Sequence, residues 1–412
     1  MGMQPKLRFK GFTDDWEKRK LGSMGTTYSG LSGKTKEDFG HGNAKFVTYM
    51  NVFSNTISKI DGLDSIEIDN KQHQVRNGDV FFTTSSETPN EVGMSSVWTF
   101  NIPNIYLNSF TFAYRPTETF DLNYLAFMLR SPLIRRSFIK LAQGISRYNI
   151  SKVKVMEISV PVPKLIEQKK IGELFHNLDN LITVNQRKVD LLKKKKNGYL
   201  QKLFPENGQN NPELRFKGYT DAWEKRKLLE LATFSKGQGY SKKDLVSSGY
   251  PIILYGRLYT NYQVSITTVN DTFVANNKNA VISEIGDVIV PGSGETAEDI
   301  SRASSINIAG IILGGDLNVI HPYQDRLDST FLALNISNGV QQKELTKRAQ
   351  GKSIVHIHNS DLQTITLKKP ELYEQQKISK LFIYLDNLIT VNQRRVDLLK
   401  QEKKALLQKM FV

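Results

Sequence analysis

The chain repeats itself at one fixed distance. Residues 178–187 and 385–394 both read LDNLITVNQR, 207 positions apart. The same offset carries PKLRFKGFTDDWEKRKL at 5–21 onto PELRFKGYTDAWEKRKL at 212–228, with 14 of 17 positions identical. It carries 167–204 onto 374–411 with 26 of 38 identical, and AQG at 142–144 onto AQG at 349–351. A period this long is a duplicated unit rather than a solenoid repeat. The 412 residues therefore divide into a first variable domain at 1–163 and a conserved helix at 164–204. A polar linker, PENGQNN at 205–211, leads to a second variable domain at 212–370 and a second conserved helix at 371–412.

The conserved segments carry a helical pattern. Leu178, Ile182, Asn185, Val189, Leu192, Lys196, Tyr199 and Leu203 follow one another in steps of four and three, a heptad seam with polar interruptions. The second copy has Leu385, Ile389, Asn392, Val396, Leu399, Lys403, Leu406 and Met410. Some 37 residues at 1.5 Å each give a rod of roughly 55 Å. An apolar stripe of that length needs a partner, and the nearest is its own copy. Duplicated units relate most simply by an approximate two-fold axis, so the helices are expected to pair antiparallel as a coiled coil. Asn185 and Asn392 in the seam would lower stability and favour one register.

The variable domains have a different texture. IEIDNKQHQVRNGDVFFTTSS, AVISEIGDVIVPGSG and SSINIAGIILGGDLNVIHP are short β-branched runs punctuated by Gly and Pro. One stretch in each domain, 122–144 and 329–351, has helical character and ends at the AQG glycine. Each domain is expected to be α+β, with a mostly antiparallel sheet and a terminal helix. VPVP at 160–163 predicts an extended exit before the long helix.

No motif carries catalysis. GLSGKT at 30–35 lacks the first glycine of a phosphate-binding loop, because Tyr28 stands there. PGSGET at 291–296 lacks the strand–helix setting of a dinucleotide fold. The pair HIH at 356–358 would put both rings on one face of a strand, with no third ligand in view. There are no cysteines, so neither a disulfide framework nor a thiolate metal site is available. The opening residues have no apolar signal core and no run of about 18 apolar residues occurs anywhere, so a cytoplasmic protein without a membrane span is expected.

The net charge of +15 suggests a polyanionic partner. The two conserved helical segments hold +9 of it, and KKKK at 193–196 is the densest run. From Arg130 to Lys154 there are seven Lys or Arg and no Asp or Glu. Phosphate contacts position a protein on DNA, whereas Arg, Asn and Gln at base edges specify sequence. The candidate DNA contacts are Lys34, Lys36, Arg135, Arg136, Lys140, Arg147, Tyr148, Asn149 and Lys152 in the first domain. In the second they are Lys242, Lys243, Arg257, Lys343, Lys347, Arg348 and Lys352.

The order variable domain, helix, variable domain, helix closely resembles the specificity subunit of a type I restriction–modification system. Each domain opens near WEKRKL and each helix begins EQ-x-K-I after a PVP or KKP exit. The resemblance covers essentially the whole chain. It implies two target-recognition domains, each reading half of a gapped site in double-stranded DNA, with the helices fixing the gap. It implies docking of two methyltransferase subunits carrying S-adenosylmethionine, and of two restriction subunits using ATP and Mg. No catalytic residue, metal site or cofactor is then expected in this chain itself. The second domain segment, 205–370, carries only +1, so strong DNA binding by this chain alone is not expected. The competing readings are a stand-alone architectural or regulatory DNA-binding protein, and a scaffold whose variable domains hold peptides.

Overall fold

The computed structural model describes residues 4–351 and 354–411. It divides into two compact units, residues 1–186 with 394–412, and residues 187–393. The long helices span Leu165–Lys202 and Leu372–Met410. Each therefore begins in one unit and ends in the other.

In the first unit a four-stranded antiparallel sheet runs in the order Gly25–Ser29, Thr111–Pro116, Val80–Thr83, Ser95–Val97. Its central strand is buried on both faces. Val80 and Phe82 enter a core shared with the long helices, while Phe81 faces a second core with Val47, Ile105 and Leu107. This is the alternation a strand imposes. A smaller sheet, Leu63–Ile66, Phe39–Val47 and Ile105–Leu107, covers the second core and includes one parallel pair. The second unit repeats the plan with two five-stranded sheets. Its central strand Val288–Pro291 sends Val288 and Val290 to the helix side and Ile289 to the other.

The single helices expected at 122–144 and 329–351 are each two helices. The first stretch gives Leu122–Leu129 and Pro132–Leu141, and the second gives Ser329–Ile336 and Gly339–Arg348. Pro132 cannot continue a helix but is suited to begin one. Ser131 caps that new start by accepting from the Ile134 N–H. In the second unit Gly339 turns the chain with φ of +65°. Neither AQG glycine ends a helix; both lie beyond it in a loop.

The conserved segments are conserved because they clamp one another. Glu167, 1% exposed, takes both Arg8 Nε and Nη2 (2.7 and 2.8 Å) and the Trp16 indole N–H (3.1 Å). Its neighbour Gln168 accepts from the Asp121 N–H and donates to the Pro163 carbonyl. Arg215 and Glu374 repeat the ion pair, and Gln375 repeats both amide bonds with Asp328 and Pro370. In the leader, the Leu7 N–H caps the Lys409 carbonyl, as the Leu214 N–H caps that of Lys202. So the leader ties the start of one helix to the end of the other.

Within each unit the two helix segments run antiparallel. In the first, Asp179 pairs with Lys403 and Phe175 stacks on Phe411; in the second, Asp386 pairs with Lys196 and Phe382 meets Phe204. Each pair maps onto the other when 207 is added to one residue and subtracted from its partner. The seam lysines thus have carboxylate partners. Leu178, Asn185, Val189, Leu385, Asn392 and Val396 are buried, and Ile182, Leu192, Ile389 and Leu399 half-buried. Asn185 and Asn392 each donate to the carbonyl four residues back, Leu181 and Leu388.

Phe411 sits against Tyr124 and Phe175, and Phe204 against Trp223, Phe331 and Phe382. Truncating a buried Phe costs about 3–5 kcal/mol. Phe411→Ala is expected to lower the unfolding transition of the first unit and leave the second unchanged, and Phe204→Ala the reverse. Hydrogen exchange resolved by peptide separates the two; equal loss of protection in both units for either variant would contradict the assignment.

Candidate nucleic-acid interface

In two otherwise divergent domains, the described residues around the two AQG sequences share the same backbone pairings. Gln143 and Asn149 exchange backbone hydrogen bonds of 3.0 and 2.8 Å, and Gln350 and His356 do the same at 3.2 and 2.8 Å. Gly144 and Gly351 both have φ of +137°. A Cβ there would fall 2.0 Å from the Arg147 carbonyl oxygen and 1.9 Å from that of Ile354. Only glycine allows that approach. The returning chain then pairs with a two-residue strand: Tyr148–Asn149 with Ser85–Ser86, and Val355–His356 with Ser293–Gly294. In each unit a tyrosine hydroxyl braces that strand from behind. Tyr49 donates to the Ser85 carbonyl (2.7 Å), and Tyr259 donates to that of Ser293.

Strand alternation sorts the loop residues. Tyr148 and Ile150 pack on the helix-side core of the first unit, and Val355 and Ile357 on that of the second unit. Ile145, at 96% exposure, with Arg147 and Asn149, faces outward, as do Ile354, His356 and His358. The two histidine rings stack in parallel with centroids 6.4 Å apart. Tyr148 is half-buried and packs against the helix-side core of the first unit. Among the described residues Arg147 has no carboxylate within ion-pair distance, and its charge acts on Tyr49.

The remaining basic candidates divide by what holds them. Arg135 is corrected: its guanidinium donates to the carbonyls of Asn90, Val92 and Gly93, and burial pushes its pKa down to about 10. Arg130 beside it is held in the same way by carbonyls of Val52, Phe53, Asn55 and Ser95. Arg257 is also corrected, being 7% exposed and paired with Asp271 at 3.1 Å. Lys34 is paired with Asp69 at 2.8 Å, a hydrogen bond that holds the Asp69 carboxyl at about 2. Lys347 is paired with Glu344, and Arg348 donates to Thr364. Lys36, Arg136, Lys140, Lys152, Lys242, Lys243 and Lys343 are exposed. Lys152 reaches the Ser29 hydroxyl, and Arg136 the Pro132 carbonyl. Lys36 and Lys242 begin matching turns, each closed by a capping box, Thr35 with Asp38 and Ser241 with Asp244. Lys352 lies outside the described residues.

A family model described as the type I restriction modification DNA specificity domain matches the chain twice, at 13–194 and 220–401. The chain belongs to that family. Two curated relatives come from Methanocaldococcus jannaschii. The type I restriction enzyme MjaVIII specificity subunit is 21% identical over 84% of this chain and 82% of its own. The putative type I restriction enzyme MjaX specificity subunit is 21% identical over 96% and 92%. The crystal structure of a type I restriction–modification S subunit from M. genitalium shares the fold, with a TM-score of 0.65 at 17% identity over 100% of this chain and 99% of that one. No helix of this specificity-family chain, among the described residues, is long and apolar enough to cross a membrane.

A second shared device lies under each sheet of the specificity-family fold. RNGDV at 76–80 and EIGDV at 284–288 end in a buried aspartate whose carboxylate accepts the N–H three residues back, from Arg76 and Glu284. Asp79 binds Arg115 through two nitrogens at 2.7 Å and accepts from the Tyr28 hydroxyl. Asp287 binds His321 Nδ1 at 2.7 Å, and His321 Nε2 meets the Ser235 hydroxyl at 2.8 Å. Serine, histidine and aspartate in line suggest acyl transfer. The first unit has a related cluster, in which Arg115 and the Tyr28 hydroxyl both bind Asp79 directly.

Two outcomes follow from these sites. Gly144→Ala is expected to destabilise the loop by about 1–3 kcal/mol, opening the Tyr148–Ser86 pairing; unchanged exchange of the Asn149 amide would contradict it. The hydrogen bond that His321 Nδ1 makes to the Asp287 carboxylate raises the His321 pKa above its ordinary value of 6.5. Its stabilising contribution is then full below about pH 6.5 and lost as pH rises through the raised value. The second unit should therefore lose stability as pH rises above about 6.5, in a way that His321→Gln abolishes; the same slope in that variant would refute the assignment.

Proposed function

We propose that this chain is the specificity subunit of a type I restriction–modification complex. In this reading each unit recognises one half of a gapped site in double-stranded DNA, and the helices fix the gap. The helices also dock two methyltransferase subunits, through which two restriction subunits join. Methyl transfer from S-adenosylmethionine and ATP- and Mg-dependent cleavage belong to those partners, and this chain catalyses nothing.

One contrast carries the reading. The helices are nearly identical between units, whereas the domains differ everywhere except at the elements that frame them. Two like surfaces suit two copies of one partner, and two unlike domains suit two targets. The helices also keep a second apolar stripe out of the cores. Val184 and Leu191 on the first helix are 62% and 66% exposed, and Val391 and Leu398 on the second 62% and 65%. These are the same positions 207 apart, spaced one heptad on each helix, which suits a helical partner.

The test is co-purification with the methyltransferase subunit. Val184→Glu is expected to leave the chain folded, because the side chain is solvent-exposed, and to reduce the bound methyltransferase from two copies to one. Adding Val391→Glu should remove the second copy. Retention of both copies by the double variant would place the docking surface elsewhere.

A further inference from the structure

We propose that the outward positions of the AQG loop choose bases: Ile145, Arg147 and Asn149 in the first unit, Ile354 and His356 in the second. The inference rests on the reading of this chain as a DNA specificity subunit and names the element that specifies. Duplication is the source of the argument. Two copies of one domain have diverged, yet both keep the glycine at φ of +137°, the reciprocal backbone bonds, the pairing to a two-residue strand and the tyrosine brace. All of these act on backbone. None depends on which side chains point outward, and those are the ones that differ: Arg147 stands where Ile354 does, and Asn149 where His356 does. The inward positions stay apolar or aromatic, Tyr148 and Ile150 against Val355 and Ile357. A loop held rigid from behind while its exposed face varies is a mounting for exchangeable contacts.

The chemistry of the first unit's face fits base edges. Arginine binds the O6 and N7 of guanine with two donors, and asparagine binds the N6 and N7 of adenine. Arg147 and Asn149 are two residues apart and both exposed, Asn149 on the two-residue strand and Arg147 just before it. The second unit presents Ile354, which suits the methyl group of thymine, beside His356. The two half-sites should then differ because the faces differ, although the mounting is the same.

The experiment exchanges faces within the intact chain. Arg147→Ile with Asn149→His gives the first unit the outward residues of the second, and the variant is expressed with its methyltransferase partner while methylated sites are mapped across the genome. The expected result is a changed first half-site, with the second half-site and the gap unaltered. An unaltered first half-site in a complex that methylates normally would overturn the proposal. So would equal weakening on every DNA sequence, since that is the behaviour of phosphate contacts. Arg147→Lys covers the case in which the double variant misfolds. It keeps the charge but not the two-pronged geometry, and should lose roughly 10- to 100-fold discrimination at one G·C pair of the first half-site; full discrimination by this variant would overturn the proposal as well. Failure of the unmodified complex to bind DNA sequence-specifically would instead sink the specificity-subunit reading on which this one stands.

Discussion

Each unit depends on a helix end that enters a core its own domain cannot fill. Tyr124, Phe127 and Phe175 leave a place that Phe411 occupies, and Trp223, Phe331 and Phe382 leave one for Phe204. The helices that start in these units, at Leu165 and Leu372, supply Phe175 and Phe382, and the facing rings Phe411 and Phe204 come from the ends of the other helix. The cores are therefore completed by the helix arriving from the other unit. Hydrophobic closure of the domain and pairing of the helices are one event, and a helix end that failed to dock would expose two aromatic surfaces at once. The buried Arg8–Glu167 and Arg215–Glu374 pairs refine this by orienting the first helical turn. Breaking such a pair leaves an unpartnered buried charge, which is far more costly than losing an exposed one.

That arrangement explains which residues the duplication has kept. Leader, exit strand and helix touch each other in both units, so a change in one must be matched by the others. The EQ pair at the helix start is the clearest case: its glutamate holds the leader's arginine, and its glutamine holds both the exit strand and the cap of the next helix. The side chains exposed at 147 and 149, and at 354 and 356, lie outside this frame and differ between the units. Conserved frame and variable face are thus a consequence of packing as much as of function.

The parts of this plan that were legible in sequence are those set by local periodicity and by repetition. The heptad seam through Leu178 and Val189 describes the buried stripe because a helix keeps its spacing without tertiary help. The break before Pro132 was legible too, since Ser-Pro is a strong start signal, yet the apolar run on either side reads as one helix. What sequence hid was the fate of long cations. Arg135 and Arg136 are adjacent and chemically identical. One is spent on carbonyls of a loop more than 40 residues away and the other is exposed, a difference that exists only once the helix has packed. The paired aspartates Asp79 and Asp287 were hidden for another reason: they are 208 residues apart, one more than the repeat, so a fixed offset passes over them.

The inward turn of Tyr148 shows how far a local rule can go. Arg147, Tyr148 and Asn149 read together as a polar, aromatic cluster of the kind that meets nucleic acid. Strand alternation alone would have divided them, putting Tyr148 with Ile150 and Arg147 with Asn149. The structure makes that division and repeats it at Ile354, Val355 and His356. The aromatic ring then serves as ballast, anchoring the loop in the core so that its neighbours are held at a fixed place outside. A contact that must tell one base pair from another depends on position to a fraction of a bond length, because hydrogen bonds weaken steeply with distance and angle. Fixing the loop by backbone bonds and a half-buried ring would give that precision. In the proposed role the two demands on the domain are separate, stability resting on inward side chains and choice on outward ones.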